Sequence, residues 1–193
     1  MSPTRMINWH EHFTYDGDTG LLIWKPRPLT SFTCTRLQNC WNARRANKKA
    51  GRIDVQGYAT VLVLGKHRKA HRIIWEMHHG PIPEGMVIDH IDGYPSNNRL
   101  NNLRLATQSQ NLSNQNRKKN STGLKGIFRR GDRFYAYITS SKKRISLGGF
   151  PTKGLAGVAY AKASLKYHGV FSNPVLGKQQ RGVIDTILQY QQA

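Results

Sequence analysis

Acid is scarce in this chain. Ten Asp and Glu stand against thirty Lys and Arg, a formal net charge of +20 at pH 7. Thiols are scarcer: Cys34 and Cys40 are the two cysteines. Their spacing is not that of a CxxC zinc pair, and two thiols make no disulfide framework, so a structural zinc is excluded and a reducing cytosol fits. Long apolar runs are missing, and none approaches the roughly 20 residues that cross a bilayer. The opening MSPTRMINWHEHF lacks the apolar stretch of a secretory signal. These absences predict a cytoplasmic, non-membrane protein. With 193 residues, 38% hydrophobic and a mean hydropathy of −0.60, it has room for one medium domain or two small ones with modest cores.

The positive charge is distributed unevenly. Residues 1–92 carry thirteen Lys/Arg and eight Asp/Glu, whereas Gly93 onwards has seventeen Lys/Arg and two acids, Asp132 and Asp185. Self-repulsion of that size opposes a compact fold unless a polyanion relieves it. The basic residues alternate with Tyr and Phe rather than forming a Lys tract, which favours DNA or RNA over a merely solubilising face.

Turn and breaker residues organise the chain. DGDTG between FTY and LLIW predicts a β-hairpin within residues 6–30, and residues 31–50 read as irregular and basic. Tyr58–Leu64 reads as a strand, Gly65 as a turn, and Ala70–His78 as a helix stopped by Gly80, Pro81 and Pro83. A short strand, Met86–Ile91, leads into the polar loop DGYPSNNRLNN, and Thr107 with Gln110 predicts a capped helix over 108–116. NRKKNSTG reads as a linker. LKGIFRR, RFYAYITS and RISLGGF then read as a three-stranded meander. PTKGLAGVAYAKASLKYHG reads as a helix with Thr152 as N-cap, Gly169 as its end, and small residues at 156, 159 and 163. VIDTILQYQQ predicts a short helix in the tail.

Two of the scarce acids flank an imidazole in VIDHIDGYPSNN. Phosphodiester hydrolysis needs a base for the attacking water and a cation to neutralise the phosphate and the leaving 3′ oxygen. Asp89 and His90 are adjacent, so they approach one phosphate together only where the strand ends. Asp89 offers an oxygen to a hard cation, and Asn111, on the first turn of the following helix, offers a second. The His67/His71 spacing looks like a metal pair but straddles a turn without further ligands. His67, His78 and His79 are expected to be exposed, and Trp24, Trp41 and Trp75 to be core aromatics.

VIDHIDGYPSNNRLNNLRLATQSQN, with AHRIIWEMHHGPIPEG and FTYDGDTGLLIWK before it, resembles the phage HNH endonucleases, the ββα-metal nucleases. The resemblance implies His90 as general base, Asn102 as the asparagine that braces the loop and orients the base, and Asp89 and Asn111 as ligands of Mg²⁺ or Mn²⁺. Asp92 is either a turn cap or an outer ligand, and His71 either an outer-shell contact or packing.

Leu124–Asn173, through KGI, LGGF, AYAKA and HGVFSN, resembles the Apetala-type DNA-binding domain. That likeness implies a sheet applied to double-stranded DNA. By alternation its DNA face holds Lys125, Arg130, Arg133, Tyr137, Thr139, Arg144 and Ser146, with Phe134, Ile138 and Leu147 toward the helix. Arg129 and Lys142 are expected on phosphate. Phe128, Tyr137, Thr139 and Ser146 depart from the residues usual in plant members, so no target sequence carries over.

The whole reads as an α+β protein: a ββα-metal nuclease domain over 1–119, a three-stranded antiparallel sheet on one helix over 120–175, and a tail over 176–193. The function this implies is site-specific DNA cleavage of the homing type, with no protein partner and no membrane. The competing readings are a non-catalytic DNA-binding regulator and a non-specific HNH nuclease.

Overall fold

The acidic turn at Asp16 folds the N-terminal segment back on itself. In the computed structural model, which describes residues 7–114 and 121–172, Asp16 Oδ1 accepts from the amides of Asp18 and Thr19 at 3.0 and 3.3 Å, and Thr19 Oγ1 donates to Oδ2 at 2.6 Å. The strands that result, β1 (Phe13–Asp16) and β2 (Leu21–Trp24), pair antiparallel with Phe13 opposite Trp24. Their rings meet at 4.6 Å, and both side chains are buried. Each such burial contributes about 1.5–3 kcal/mol.

Residues 31–50 are not irregular. Thr35–Arg45 form helix α1. It has no buried stripe, so its sequence carries no 3.6-residue apolar signal. Side chains fix it instead: Asn42 Oδ1 accepts from Arg27 N at 2.9 Å, and Asn42 Nδ2 and Gln38 Nε2 both donate to Arg27 O at 3.1 Å. The Arg27 guanidinium lies 4.3 Å from the Trp41 ring centroid and 5.2 Å from that of Trp24.

The central sheet has the order β3 (Arg52–Ile53), β4 (Ala59–Val63), β5 (Lys66–Lys69). Alternation along β4 buries Ala59, Val61 and Val63. Strand β5 is KHRK, an edge strand with no apolar alternation, and the sequence reading ran straight from Gly65 to the helix for that reason. Helix α2 (Ala70–His79) follows at once and buries Ala70, His71, Ile73 and Ile74 on one face. Gly80, at φ 78°, ends it. β6 (Met86–His90) and β7 (Leu103–Thr107) pair antiparallel, and α3 (Gln108–Asn114) continues directly from β7.

Two compact units divide the chain, Met1–Gln108 and Ser109–Ala193. In the second, β8 (Ile127–Arg130), β9 (Arg133–Ser140) and β10 (Lys143–Phe150) form a meander in the order β10-β9-β8. α4 (Lys153–His168) covers its inner face, burying Ala156, Gly157, Tyr160 and Ala163 against Ile127, Ala136 and Ile138. The Thr152 hydroxyl accepts from Leu155 N at 3.3 Å, and Gly169 ends the helix at φ 51°. Phe134, Ile145 and Leu147 pack on the same side. The architecture is α+β. Among the described residues no helix is long and apolar enough to cross a membrane. Most of the NRKKNSTG linker and the tail helix read from VIDTILQYQQ lie outside the described residues.

One close approach ties the first hairpin to the loop after β6. Gly20, at φ 72°, has no room for a Cβ, which would stand 2.7 Å from Arg99 N and 2.9 Å from the Asn98 carbonyl carbon. Gly20→Ala therefore adds left-handed strain to a backbone clash and is expected to cost about 2–3 kcal/mol. Urea unfolding of the variant against wild type measures it, and an unchanged midpoint contradicts the packing.

Candidate active site

β6 ends on two buried polar residues. Asp89 is 2% exposed and His90 6%. Opposite them in the ladder stand Arg104 and Leu103. A carboxylate so deep needs a cation: Arg104 Nε and Nη2 donate to Asp89 Oδ2 at 2.9 and 2.8 Å. Arg104 was missed in the sequence because it reads as the polar position of an alternating strand.

The loop from Ile91 to Asn102 is built around Asp92. Its Oδ1 accepts from Tyr94 N at 2.8 Å and Asn102 Nδ2 at 3.0 Å, and its Oδ2 from Asn97 Nδ2 at 2.7 Å. Burial alone would raise the Asp92 pKa, but these donors and the nearby His90 more than offset it, so it lies below the ordinary carboxylate value. Asn102 completes the brace, with Oδ1 accepting from Asp92 N at 3.0 Å and Nδ2 donating to Asn97 O at 2.8 Å.

That brace delivers a different asparagine to the imidazole. Asn98, 1% exposed, sets its Oδ1 3.0 Å from His90 Nε2. An amide oxygen has no proton to give, so Nε2 carries the hydrogen and the lone pair resides on Nδ1. The sequence offers four asparagines at 97, 98, 101 and 102, and nothing in their spacing says which one faces the ring. Tyr15 secures the other side: its hydroxyl donates to Asn98 O at 3.3 Å and accepts from Leu100 N at 3.0 Å.

A wall of rings closes the site. His71 meets His90 edge to face at 5.0 Å and 87°, and Tyr58 lies 5.5 Å from His71 and 6.0 Å from His90. His71 is 7% exposed, and no hydrogen-bond partner meets its Nδ1. Burial first, then the charges of His90, Arg72 and Lys69, push its pKa down to about 3.

The other residues singled out from the sequence fall in separate places. Asn111 is half-buried on α3, in the second unit. His67, His78 and His79 are exposed, Trp24 is buried, and Trp41 and Trp75 pack partly buried on the core. On the second unit's sheet, the register sets Arg130 opposite Arg133, Tyr137 opposite Ser146 and Thr139 opposite Arg144, all on the face away from α4. Arg133 Nη2 donates to Gly149 O at 3.0 Å. Arg129 shares the register face of Phe134 and donates from Nε to Gly131 O at 3.0 Å. Lys142 sits in the β9–β10 turn at φ 63°, and Lys125 bonds Ser113 O.

Among the described residues no three of His, Cys, Asp and Glu gather as a closed metal cage. The donor chemistry still fits a hard cation, since the buried Asp89 carboxylate supplies the kind of oxygen such an ion prefers.

Comparison with known proteins agrees on this region. Residues 68–113 match the family described as HNH endonuclease. Over these residues the chain is similar to HNH endonucleases. Protein 3.8 of Escherichia phage T7 is 49% identical over 63 residues, 32% of this chain and 52% of that protein. The uncharacterized HNH endonuclease L560 of Acanthamoeba polyphaga mimivirus is 31% identical over 125 residues, 63% of this chain and 64% of that one. This chain thus spans about half to two thirds of the length of these relatives. A solved structure, of DNA binding and cleavage by the HNH homing endonuclease I-HmuI, aligns at 21% identity and a TM-score of 0.35, over 81% of this chain and 85% of that one. Tyr58, at the edge of the HNH ring wall, precedes the matched residues.

His71 makes the HNH domain acid-sensitive. Its folded pKa of about 3 lies below the ordinary 6.5. The unfolded chain therefore takes up the proton first as pH falls, and the stabilisation from this group is complete above about 6.5 and lost progressively down to about 3. At pH 5 the loss is about 2 kcal/mol. His71→Asn lowers stability at neutral pH yet flattens its decline between pH 7.5 and 5, as read by denaturant unfolding at each pH. A slope equal to wild type contradicts the assignment.

Proposed function

We propose that this protein is a site-specific DNA endonuclease of the homing type, with His90 as its general base. The observation that carries the reading is the buried Asp89–His90 step, whose imidazole is held at Nε2 by Asn98 Oδ1. Hydrolysis then proceeds with His90 Nδ1 taking a proton from water, the water oxygen attacking phosphorus, and the 3′ oxygen leaving from the opposite side. Asn98 fixes the tautomer, Asn102 and Asp92 hold the loop that carries Asn98, and His71 shields the ring without charging. Asp89 is the oxygen donor that would hold Mg²⁺ or Mn²⁺, and the ion would neutralise charge on the phosphate and on the leaving oxygen; Asn111 is the second donor that the resemblance implies.

Binding is assigned to the whole basic surface and targeting to the second unit. In this reading residues 1–119 are the nuclease, 120–175 an Apetala-type module on double-stranded DNA, and 176–193 a tail. What supports the module is a meander backed by one helix, with Arg130, Arg133, Tyr137, Thr139, Arg144 and Ser146 on its outer face. Lys125, Arg129 and Lys142 are placed on phosphate.

Incubation with supercoiled plasmid and Mg²⁺ tests the chemistry. Wild type is expected to give discrete nicked or linear products, and chelation to stop them. His90→Ala removes a base worth about 10²–10⁴-fold in rate. DNA affinity measured in EDTA should stay within about twofold, because one side chain adds little to the counterion release of a basic protein. Asn98→Leu should slow cleavage about tenfold or more at unchanged affinity. Smearing of the plasmid makes the protein a non-specific nuclease. Binding without cleavage makes it a regulator.

A further inference from the structure

The outer face of the second unit's sheet holds an aromatic notch that edge-reading of a duplex does not use. Phe128 on β8 and Tyr137 on β9 meet edge to face at 6.1 Å and 63°. The Arg144 guanidinium on β10 lies 4.0 Å from the Tyr137 ring centroid and 5.4 Å from that of Phe128. Phe128 remains 44% exposed. These three line an open groove of about 660 Å³ that Lys125, Lys142 and Leu112 also line, together with Tyr160 and His168 of α4. No Asp or Glu lines it. Its volume lies within the roughly 300–1,000 Å³ of small-ligand sites.

The chemistry of this groove selects its occupant. In a duplex the base faces are stacked on one another, and only edges and phosphates meet a protein. Exposed aromatic and guanidinium planes offer faces. They match a base whose own face is free, while the flanking ammonium groups match its phosphates. Resting on the DNA-binding reading above, we infer that this groove takes an unpaired nucleotide of a DNA strand, its base stacked on Phe128 and Arg144. A +20 protein holds duplex electrostatically over much of its surface, but one groove with a ring floor gives single-stranded DNA a place of its own.

The test uses the full chain in EDTA, with a fluorescein-labelled 15-nucleotide single strand, the same sequence as duplex, and a copy carrying one central 2-aminopurine. Wild type should bind both forms and quench 2-aminopurine in the single strand. Phe128→Ala, shown folded by circular dichroism, should weaken single-strand binding about five- to a hundredfold and abolish the quench, while duplex affinity moves less than about twofold. Phe128→Trp should keep both. Equal losses on the two forms, or no loss on either, overturn the stacked nucleotide. If wild type binds duplex and not the single strand, this inference falls and the DNA-binding reading stands. If it binds neither, both fall.

Discussion

The hydrogen bond between His90 Nε2 and Asn98 Oδ1, at 3.0 Å, is the contact that much of the first unit is arranged to produce. A buried imidazole exchanges tautomers unless one nitrogen has an acceptor it cannot confuse with a donor. Asn98 supplies that acceptor only because its loop is held at both ends. On one side Asp92, Asn97 and Asn102 form a closed set of hydrogen bonds. On the other, Tyr15 and the Gly20 turn press against Asn98–Leu100. The N-terminal hairpin, far from the motif in sequence, is therefore part of what orients the His90 ring. Its own core pair, Phe13 and Trp24, anchors the lever.

Electrostatics imposes the second constraint. Taking Asp89 out of water costs several kcal/mol, and removing the partner of a buried pair typically costs about 3–5 kcal/mol. Arg104, directly across the ladder, answers that cost with two donors on one oxygen. A carboxylate held this way has a fixed direction, as the proposed ligation of a hard cation requires. The ring of His71, held neutral by burial, completes the environment, since a positive charge 5.0 Å from the His90 ring would oppose the base proposed there.

Much of this was legible from residues alone. The Asp-His step, the Asn-rich loop and the meander with its capped helix follow from turn chemistry, alternation and breakers. What escaped has a physical signature. Helix α1 has no apolar face, because Gln38 and Asn42 bind the Arg27 backbone instead of burying a stripe. Strand β5 is polar along its length, so period-two reasoning passes over KHRK. Asn102 bonds Asp92 and Asn97 within the loop, whereas the ring contact belongs to Asn98, and only the closed loop distinguishes them. Arg104 is invisible without the register that sets it opposite Asp89.

The scarcity of acid then has a single explanation. Asp16 builds the hairpin turn, Asp54 holds Lys69, Glu76 accepts from Trp9, Asp89 pairs with Arg104, and Asp92 closes the loop. Each of these carboxylates has a local structural partner, and all lie before residue 93, where the chain must build a pocket out of polar side chains. The second unit stands on an apolar sheet–helix interface and needs none of them. Its charge is left uncompensated on the open face of the sheet, where Arg144 finds aromatic rings instead of a carboxylate. Self-repulsion there is tolerable only in a molecule whose working state includes a polyanion. The first unit thus uses its carboxylates to fix loops and turns, whereas the described part of the second has one acid, Asp132, beside Arg129 at the β8–β9 turn.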